Sequence, residues 1–443
     1  MRRDWIIMGV LAGVALASGA GGAFAQAPAD STAPIFVAQD PPGGRLIGRA
    51  EIGFDSFEES YSIVEEDTLD SVNEWRSRLR LGWAHGSLLG NYFLVEGRLL
   101  AGQGNYETAA RLRFNRRFGS NRRTRISFDG AASNRGFDES SSFSFPNDYL
   151  RYFFSAYVQW GIGPSVSLRL SDRLTRIDFE HRTEFDFDHT RNSITLSGEY
   201  NWDITTFVTG AVRLNTMSIP DTTEIEYRSL VPYVELRSSP EVRRQLYLQA
   251  ALERREYTSA AATRSDFLAT LAVLSLEWSV GRDVSISLHD DFEYYRYDLQ
   301  TDAYFDYIEN RMVALFNYYP MFFLRLSAGG AAGLLTTGDS PQDEYKEFGA
   351  LFRCEYSQGT KLWLSFEYEP GRRRYPAFNP DAIFDFESIF SDYAYHRVSF
   401  FGTWRIWQGL AFNAFVDYQP EDHVREGDDA TATLISVSLS YLF

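Results

Sequence analysis

The sequence predicts an all-β protein, an antiparallel up-and-down β-barrel of about 20 strands (roughly 18–22). Three observations point there. The final segment alternates strictly, with Ile435, Val437, Leu439, Tyr441 and Phe443 on one face and Leu434, Ser436, Ser438, Ser440 and Leu442 on the other. From Arg45 onward the same period of two recurs in segments of roughly 11 to 16 residues, and ~9–11 tilted residues suffice to cross a membrane. Aromatic residues make up 16% of the chain, high for a soluble domain and suited to interfacial girdles.

The segments come in order along the chain. Residues 1–25 read as an export signal: Arg2 and Arg3 open it, residues 6–17 are mostly apolar, and Ala23-Phe24-Ala25 is a small-x-small cleavage site. Residues 26–44, rich in Ala, Pro, Ser and Gly, read as a flexible periplasmic leader, too short for a plug domain. Residues 45–443 form one barrel domain. Short turn signals punctuate it at His85-Gly86, Gly119-Ser120-Asn121, Gly161-Ile162-Gly163-Pro164, Asn201-Trp202-Asp203, Ser238-Ser239-Pro240, Gly281-Arg282-Asp283, Tyr319-Pro320, Gln358-Gly359 and Gln408-Gly409. Their spacing of about 40 residues equals two strands, one long loop and one short turn, which is how the strands are counted. Trp83, Trp160, Trp202, Trp278, Trp404 and Trp407 all fall beside short turns, placing an interfacial girdle at that end.

The closing strand with its terminal aromatic resembles that of bacterial outer-membrane β-barrel proteins of the porin-like kind. The resemblance implies a transmembrane barrel with short periplasmic turns and long extracellular loops. It places the chain in the outer membrane of a Gram-negative bacterium, and Tyr441 and Phe443 become a membrane-insertion signature read by the barrel assembly machinery. Outer-membrane lipid, lipopolysaccharide and further copies of the chain are the other expected partners.

Two faces separate cleanly. Ile194, Leu196, Gly198, Tyr200 and Trp202 oppose Ser193, Thr195, Ser197, Glu199 and Asn201; Ser77, Leu79, Leu81 and Trp83 oppose Arg76, Arg78, Arg80 and Gly82. The expected pore lining is Arg76, Arg78, Arg80, Arg111, Arg113 and Arg169 with Glu199, Glu253, Glu355, Glu367 and Asp417. Arginine dominates the early strands, which also carry Arg49, Arg98 and Arg125 among Glu51 and Glu96; acids are more numerous later, with Glu235 and Glu277. Such a lumen either carries a transverse field between opposite walls or neutralises its charges across adjacent strands.

The remaining features are less specific. The long segments between strands are acidic and tyrosine-rich, which suits cation bridging, sugar contact or a solvated surface. The longest loop, residues 371–390, opens with Arg372-Arg373-Arg374 and serves as a pore constriction or an outer lid; Asp381 is placed to cap a short helix. Cys354 is the single cysteine, so no intramolecular disulfide forms, and it is read as a lipid-facing residue beside Phe352 and Tyr356. The formal net charge of −17 argues against a nucleic-acid partner. No nucleophile motif accompanies His85, His181, His189, His289, His396 and His423, so neither an enzyme nor a metal or cofactor site is expected. The leading function is a channel for passive diffusion of small hydrophilic solutes or ions. An export barrel, for example for polysaccharide, acting with periplasmic partners and a surface adhesion or structural barrel are the alternatives.

Overall fold

A computed structural model describes residues 44–443 apart from 64–65, 87–90, 103–104, 120–122, 138–146, 182–185, 221–224, 242, 260–263, 302–303, 339, 379–390 and 425–428, and the side chains of 59–72. The expected export signal and leader therefore lie outside the described residues. Twenty strands follow in order: β1 (Arg45–Ile63), β2 (Glu66–Gly86), β3 (Tyr92–Gly102), β4 (Asn105–Phe118), β5 (Thr124–Phe137), β6 (Tyr149–Gly161), β7 (Val166–Phe179), β8 (His189–Asn201), β9 (Thr206–Ser218) and β10 (Tyr227–Glu241). Then come β11 (Arg244–Tyr257), β12 (Phe267–Ser279), β13 (Val284–Tyr297), β14 (Tyr307–Met321), β15 (Leu324–Thr337), β16 (Tyr345–Gln358), β17 (Leu362–Arg374), β18 (Tyr393–Trp407), β19 (Leu410–His423) and β20 (Ala430–Leu442). Each pairs antiparallel with the next, and β20 pairs with β1, so the sheet has no free edge.

Closure is sealed at the seam. Gly48 and Phe443 exchange backbone hydrogen bonds of 2.9 and 3.0 Å. The Phe443 ring lies over Gly48, where an added Cβ would sit 2.3 Å from it, and Tyr441 stacks on Phe443 at 6.1 Å. Glycine at 48 is what lets the terminal ring lie flat on the first strand.

Which face is concave follows from contacts between strands that are not neighbours. Arg311 of β14 reaches Glu369 of β17 at 2.7 Å, Tyr319 of β14 reaches Glu277 of β12 at 2.7 Å, and Tyr395 of β18 reaches Glu347 of β16 at 3.0 Å. Such reaches across intervening strands in mid-wall fall on the charged face, as the concave side of a curved sheet requires. The charged face therefore lines the lumen, and the face carrying exposed Leu79, Leu81, Ile194, Leu196 and Phe352 points outward, together with Cys354. The six tryptophans beside short turns are all well exposed at one end, Trp202 at 74% and Trp407 at 73%.

Outward alternation has two polar interruptions of the same design. Asp290 on β13 accepts a 2.9 Å hydrogen bond from Asn310 on β14, and Asp172 on β7 lies diagonally across from Asn192 on β8. In this second pair Asp172 Oδ1 and Asn192 Oδ1 are covered and have no hydrogen-bond partner.

Two expectations need correction. Ser238-Ser239-Pro240 and Tyr319-Pro320 are strand, not turn; the register shifts between Ser238 and Glu241 and between Tyr318 and Met321, a bulge that absorbs a proline unable to donate to the ladder. Much of the acidic sequence assigned to loops is also strand: Asp290 to Tyr297 belong to β13, Glu421 and Asp422 to β19, and Arg372 to Arg374 to β17. Strands run as long as 21 residues in β2, so they project well past a bilayer.

The acids that do lie in loops form a repeated clasp at the long-loop end. Asp148, Asp188, Glu226, Asp266, Asp306, Glu344, Asp392 and Asp429 each precede an incoming strand. Their side chains accept, at 2.7–3.0 Å, the backbone N–H of Phe137, Phe179, Ile219, Tyr257, Tyr297, Thr337, Tyr375 and His423, at or just past the end of the outgoing strand. The backbone carbonyls of Asp148, Glu226, Asp266, Asp306 and Asp392 accept an N–H from the residue after the next outgoing strand, which links hairpin to hairpin around the rim.

Candidate functional site: the lumenal wall

The site is the inner surface of the barrel, built by alternate residues of every strand. On β1 to β4 most inward charges have an opposite partner on their own or an adjacent strand, while on β5 Arg125 bonds Asn115 at 2.7 Å and Arg135 lies over Phe137. Glu51 holds Arg49 at 2.6 Å and Arg78 at 3.5 Å, and Asp55 holds Arg76 at 2.9 Å. Arg80 pairs with Glu96, Arg98 with Glu107, and Asp129 receives both Arg111 (2.7 Å) and Arg113 (3.2 Å). The expected acids of the later strands are equally engaged: Glu253 by Arg255 (2.8 Å), Glu355 by Arg325 (3.2 Å), Glu367 by Arg353 (2.5 Å) and Asp417 by Arg397 (3.4 Å).

These pairings remove the wall-to-wall field as a description of β1–β4 and β14–β19. Residues opposite each other on one face of a sheet lie ~5 Å apart. Across a lumen tens of ångströms wide, charges are screened with a Debye length of about 8 Å. Neutralisation within a wall wins. Each half-exposed pair contributes about 0–1 kcal/mol, so its main effect is a wet, rigid inner surface.

The wall of β6 to β9 is different. Its inward face carries Arg151, Arg169, Arg173, Arg191 and Arg213 against a single carboxylate, Glu199. Among the described residues none of these five arginines has an ion pair. Their cross-strand neighbours are Ser133 and Ile177 for Arg151, Gln159 and Ser197 for Arg169, Ser155 and Ser193 for Arg173, Thr175 and Met217 for Arg191, and Thr195 and Val231 for Arg213. Three guanidinium groups rest on rings instead: Arg169 on Tyr157 at 4.0 Å, Arg173 on Phe153 at 5.2 Å and Arg213 on Tyr233 at 5.4 Å. Of the expected lining residues, only Arg169 and Glu199 belong to this wall. The others were legible because an acid or base in a strand is conspicuous, but pairing depends on cross-strand register, which alternation alone does not give.

A second feature lies near the long-loop end of β14 to β18. Arg311, Glu347, Glu369 and Arg373 interlock with Tyr345, Tyr375, Tyr393 and Tyr395 in a buried cluster. Arg373 sits over the Tyr345 ring at 4.2 Å and donates to Glu347 at 2.9 Å. A Cβ on Gly371 would lie 2.3 Å from Tyr395, so glycine there lets the ring lie across the neighbouring strand. The three expected eyelet arginines thus end a strand, with Arg373 inside the wall; residues 379–390, the rest of the expected constriction and its cap Asp381, lie outside the described residues. His289 bonds Asp291 at 3.0 Å on the inner face.

No protein-family model matches the sequence, and no curated protein matches it as a relative. Solved structures do match in shape. The alcaligin outer-membrane receptor FauA from Bordetella pertussis superposes with a TM-score of 0.56 at 9% identity, over 91% of this chain and 77% of that one. The copper transporter OprC does so with a TM-score of 0.55 at 11% identity, over 90% of this chain and 81% of that one. Its fold is that of the bacterial outer-membrane β-barrels. In an outer-membrane barrel the outward apolar band faces lipid, which leaves every backbone group satisfied by strand pairing, and the charged inner face becomes an aqueous surface.

Proposed function

We propose that the protein is a passive channel of the outer membrane of a Gram-negative bacterium, carrying small hydrophilic solutes or ions. The short turns, the start of β1 and the end of β20 then face the periplasm, and the clasped loops face outward. One observation carries the reading: a closed wall of twenty strands whose inward face is polar and charged. At a strand spacing of ~4.8 Å and a tilt of ~40°, twenty strands enclose a backbone cylinder about 40 Å across. Inward side chains reach ~6 Å from each wall, leaving a passage of about 28 Å. Among the described residues each strand makes its main contacts with its two neighbours, and no secondary-structure element crosses the passage. The names of the two structural neighbours, an outer-membrane receptor and a copper transporter, are in keeping with solute passage. In this reading the barrel does its work without catalysis or cofactor. Its surroundings are outer-membrane lipid and lipopolysaccharide, and the barrel assembly machinery inserts it through the Tyr441–Phe443 strand.

Planar-bilayer recording tests this. The purified protein is expected to give stepwise ohmic conductance increases and to let small sugars swell proteoliposomes. Inserted protein that yields neither steps nor swelling refutes the reading.

A further inference from the structure

We infer that the inner wall of β6 to β9 is a binding stripe for oxyanions, which selects solutes bearing phosphate or carboxylate groups. The inference rests on the channel reading for its consequence in transport, but the site itself is argued from the wall. On β1–β3 and β14–β19 most inward arginines come with their own acid, whereas on the adjoining β5 Arg125 and Arg135 rest on Asn115 and on the Phe137 ring. On β6 to β9 Arg151, Arg169, Arg173, Arg191 and Arg213 share one strip without an ion pair among the described residues, and serine, threonine and glutamine occupy many of the adjoining positions.

The spacing suits an anion held by more than one guanidinium. Arg173 faces Ser193, which is two residues from Arg191, so the two arginines are diagonal neighbours at roughly 5.5–8 Å between Cβ atoms. Arg213 faces Thr195 on the other side of the same strand, β8. Arg169 lies four residues below Arg173, ~13 Å along the strand, which provides a next station toward the short-turn end. Arginine at this density is self-repulsive without a counter-ion. The rings of Tyr157, Phe153 and Tyr233 help hold three of the cations in place without neutralising them. The donors remain available for a ligand that brings the missing negative charge. A planar guanidinium fork matches the paired oxygens of carboxylate and phosphate alike, so the shared chemistry is the oxyanion, and flanking hydroxyls supply neutral hydrogen bonds.

The test uses the full-length protein in planar bilayers under a KCl gradient, with inorganic phosphate and succinate as probes. The wild type is expected to reverse at a potential of the sign set by chloride selectivity, and millimolar phosphate or succinate is expected to lower its chloride conductance. The triple variant Arg173→Ser, Arg191→Ser, Arg213→Ser is expected to lose the block and to shift its reversal potential toward that of potassium. The charge-neutral pair Arg254→Ser with Asp298→Ser, at the long-loop rim and outside the lumenal wall, is expected to change neither. Folding of each variant is checked by its heat-modifiable migration on gels. Block by both probes supports a general oxyanion site, and block by one alone narrows the ligand to that class. A conducting wild type that prefers potassium, or a folded triple variant with unchanged selectivity and block, overturns the inference and leaves the channel reading standing. If the wild type does not conduct, the channel reading fails separately. Calorimetric titration of phosphate into detergent-solubilised protein then decides: binding that disappears in the triple variant upholds the stripe, and no binding to the wild type overturns it.

Discussion

Replacing Asp266 with alanine isolates one rim clasp. Its carboxylate accepts the Tyr257 N–H at 2.7 Å, closing the hairpin between β11 and β12, while its carbonyl accepts the Asp298 N–H at 2.9 Å from the next hairpin. Alanine keeps the carbonyl and removes only the carboxylate. A hydrogen bond to a charged group contributes about 1.5–3 kcal/mol. The Tyr257 amide should therefore exchange with solvent roughly 10- to 150-fold faster, since ~1.4 kcal/mol is a factor of ten. Asparagine keeps an acceptor oxygen but not its charge, and charge-assisted bonds are about twice as strong as neutral ones. Asp266→Asn should therefore show about half the free-energy loss. Hydrogen–deuterium exchange in detergent micelles, read on peptides spanning the β11–β12 hairpin, gives both numbers. The remote β1–β2 hairpin should not change. Unaltered Tyr257 exchange in Asp266→Ala, or equal acceleration in the alanine and asparagine variants, would refute the clasp.

Three further outcomes are expected. Gly48→Val forces a side chain into the Phe443 ring, and overpacking of this kind costs about 1–3 kcal/mol; the unfolding midpoint on heat-modifiable gels should drop, whereas Gly97→Val, with open space around its Cα, should leave it nearly unchanged. Asp172→Leu removes a covered, unpartnered carboxylate oxygen from the lipid face and should stabilise the barrel in bilayers by about 1–2 kcal/mol, scaled down from the cost of lipid-facing cations; a loss of stability in urea titration from liposomes would contradict it. Beyond the end of β13, the Asp298 carboxyl is held below the usual carboxylate range by hydrogen bonds from Arg254 at 2.6 and 3.0 Å. Its contribution is thus present above the unfolded value of about 3.9 and is lost as pH falls through the lower folded value. Carboxyl NMR titration should show the Asp298 midpoint rising in Arg254→Ala, and an unmoved midpoint would exclude the pair.

The strand count and the separation of two faces were legible in the sequence, because a period of two survives any local packing. Inside and outside became distinguishable only through reaches such as Arg311 to Glu369, which require curvature. The site was legible as composition but not as pairing. Arg76, Arg78 and Arg80 stand out in the sequence, yet their partners Asp55, Glu51 and Glu96 belong to neighbouring strands whose register sequence does not reveal. Arg151, Arg173, Arg191 and Arg213 are individually ordinary; what marks them is the missing acid on either side. The loop carboxylates were visible as charge and misread in role, since a clasp requires knowing which backbone N–H is left over where a strand ends. Proline misled at 240 and 320 because a bulge, as well as a turn, can absorb it.

A nitroxide scan along β7 reads which side chains meet lipid and which meet water. After Cys354→Ser, single cysteines at positions 167 to 174 are spin-labelled in liposomes and probed with oxygen, which concentrates in lipid, and with a water-soluble nickel chelate. Labels at 168, 170, 172 and 174 should favour oxygen and those at 167, 169, 171 and 173 the chelate, with a period of two. Uniform chelate access at all eight positions, or oxygen preference at the odd ones, would contradict a barrel with lipid outside and water within.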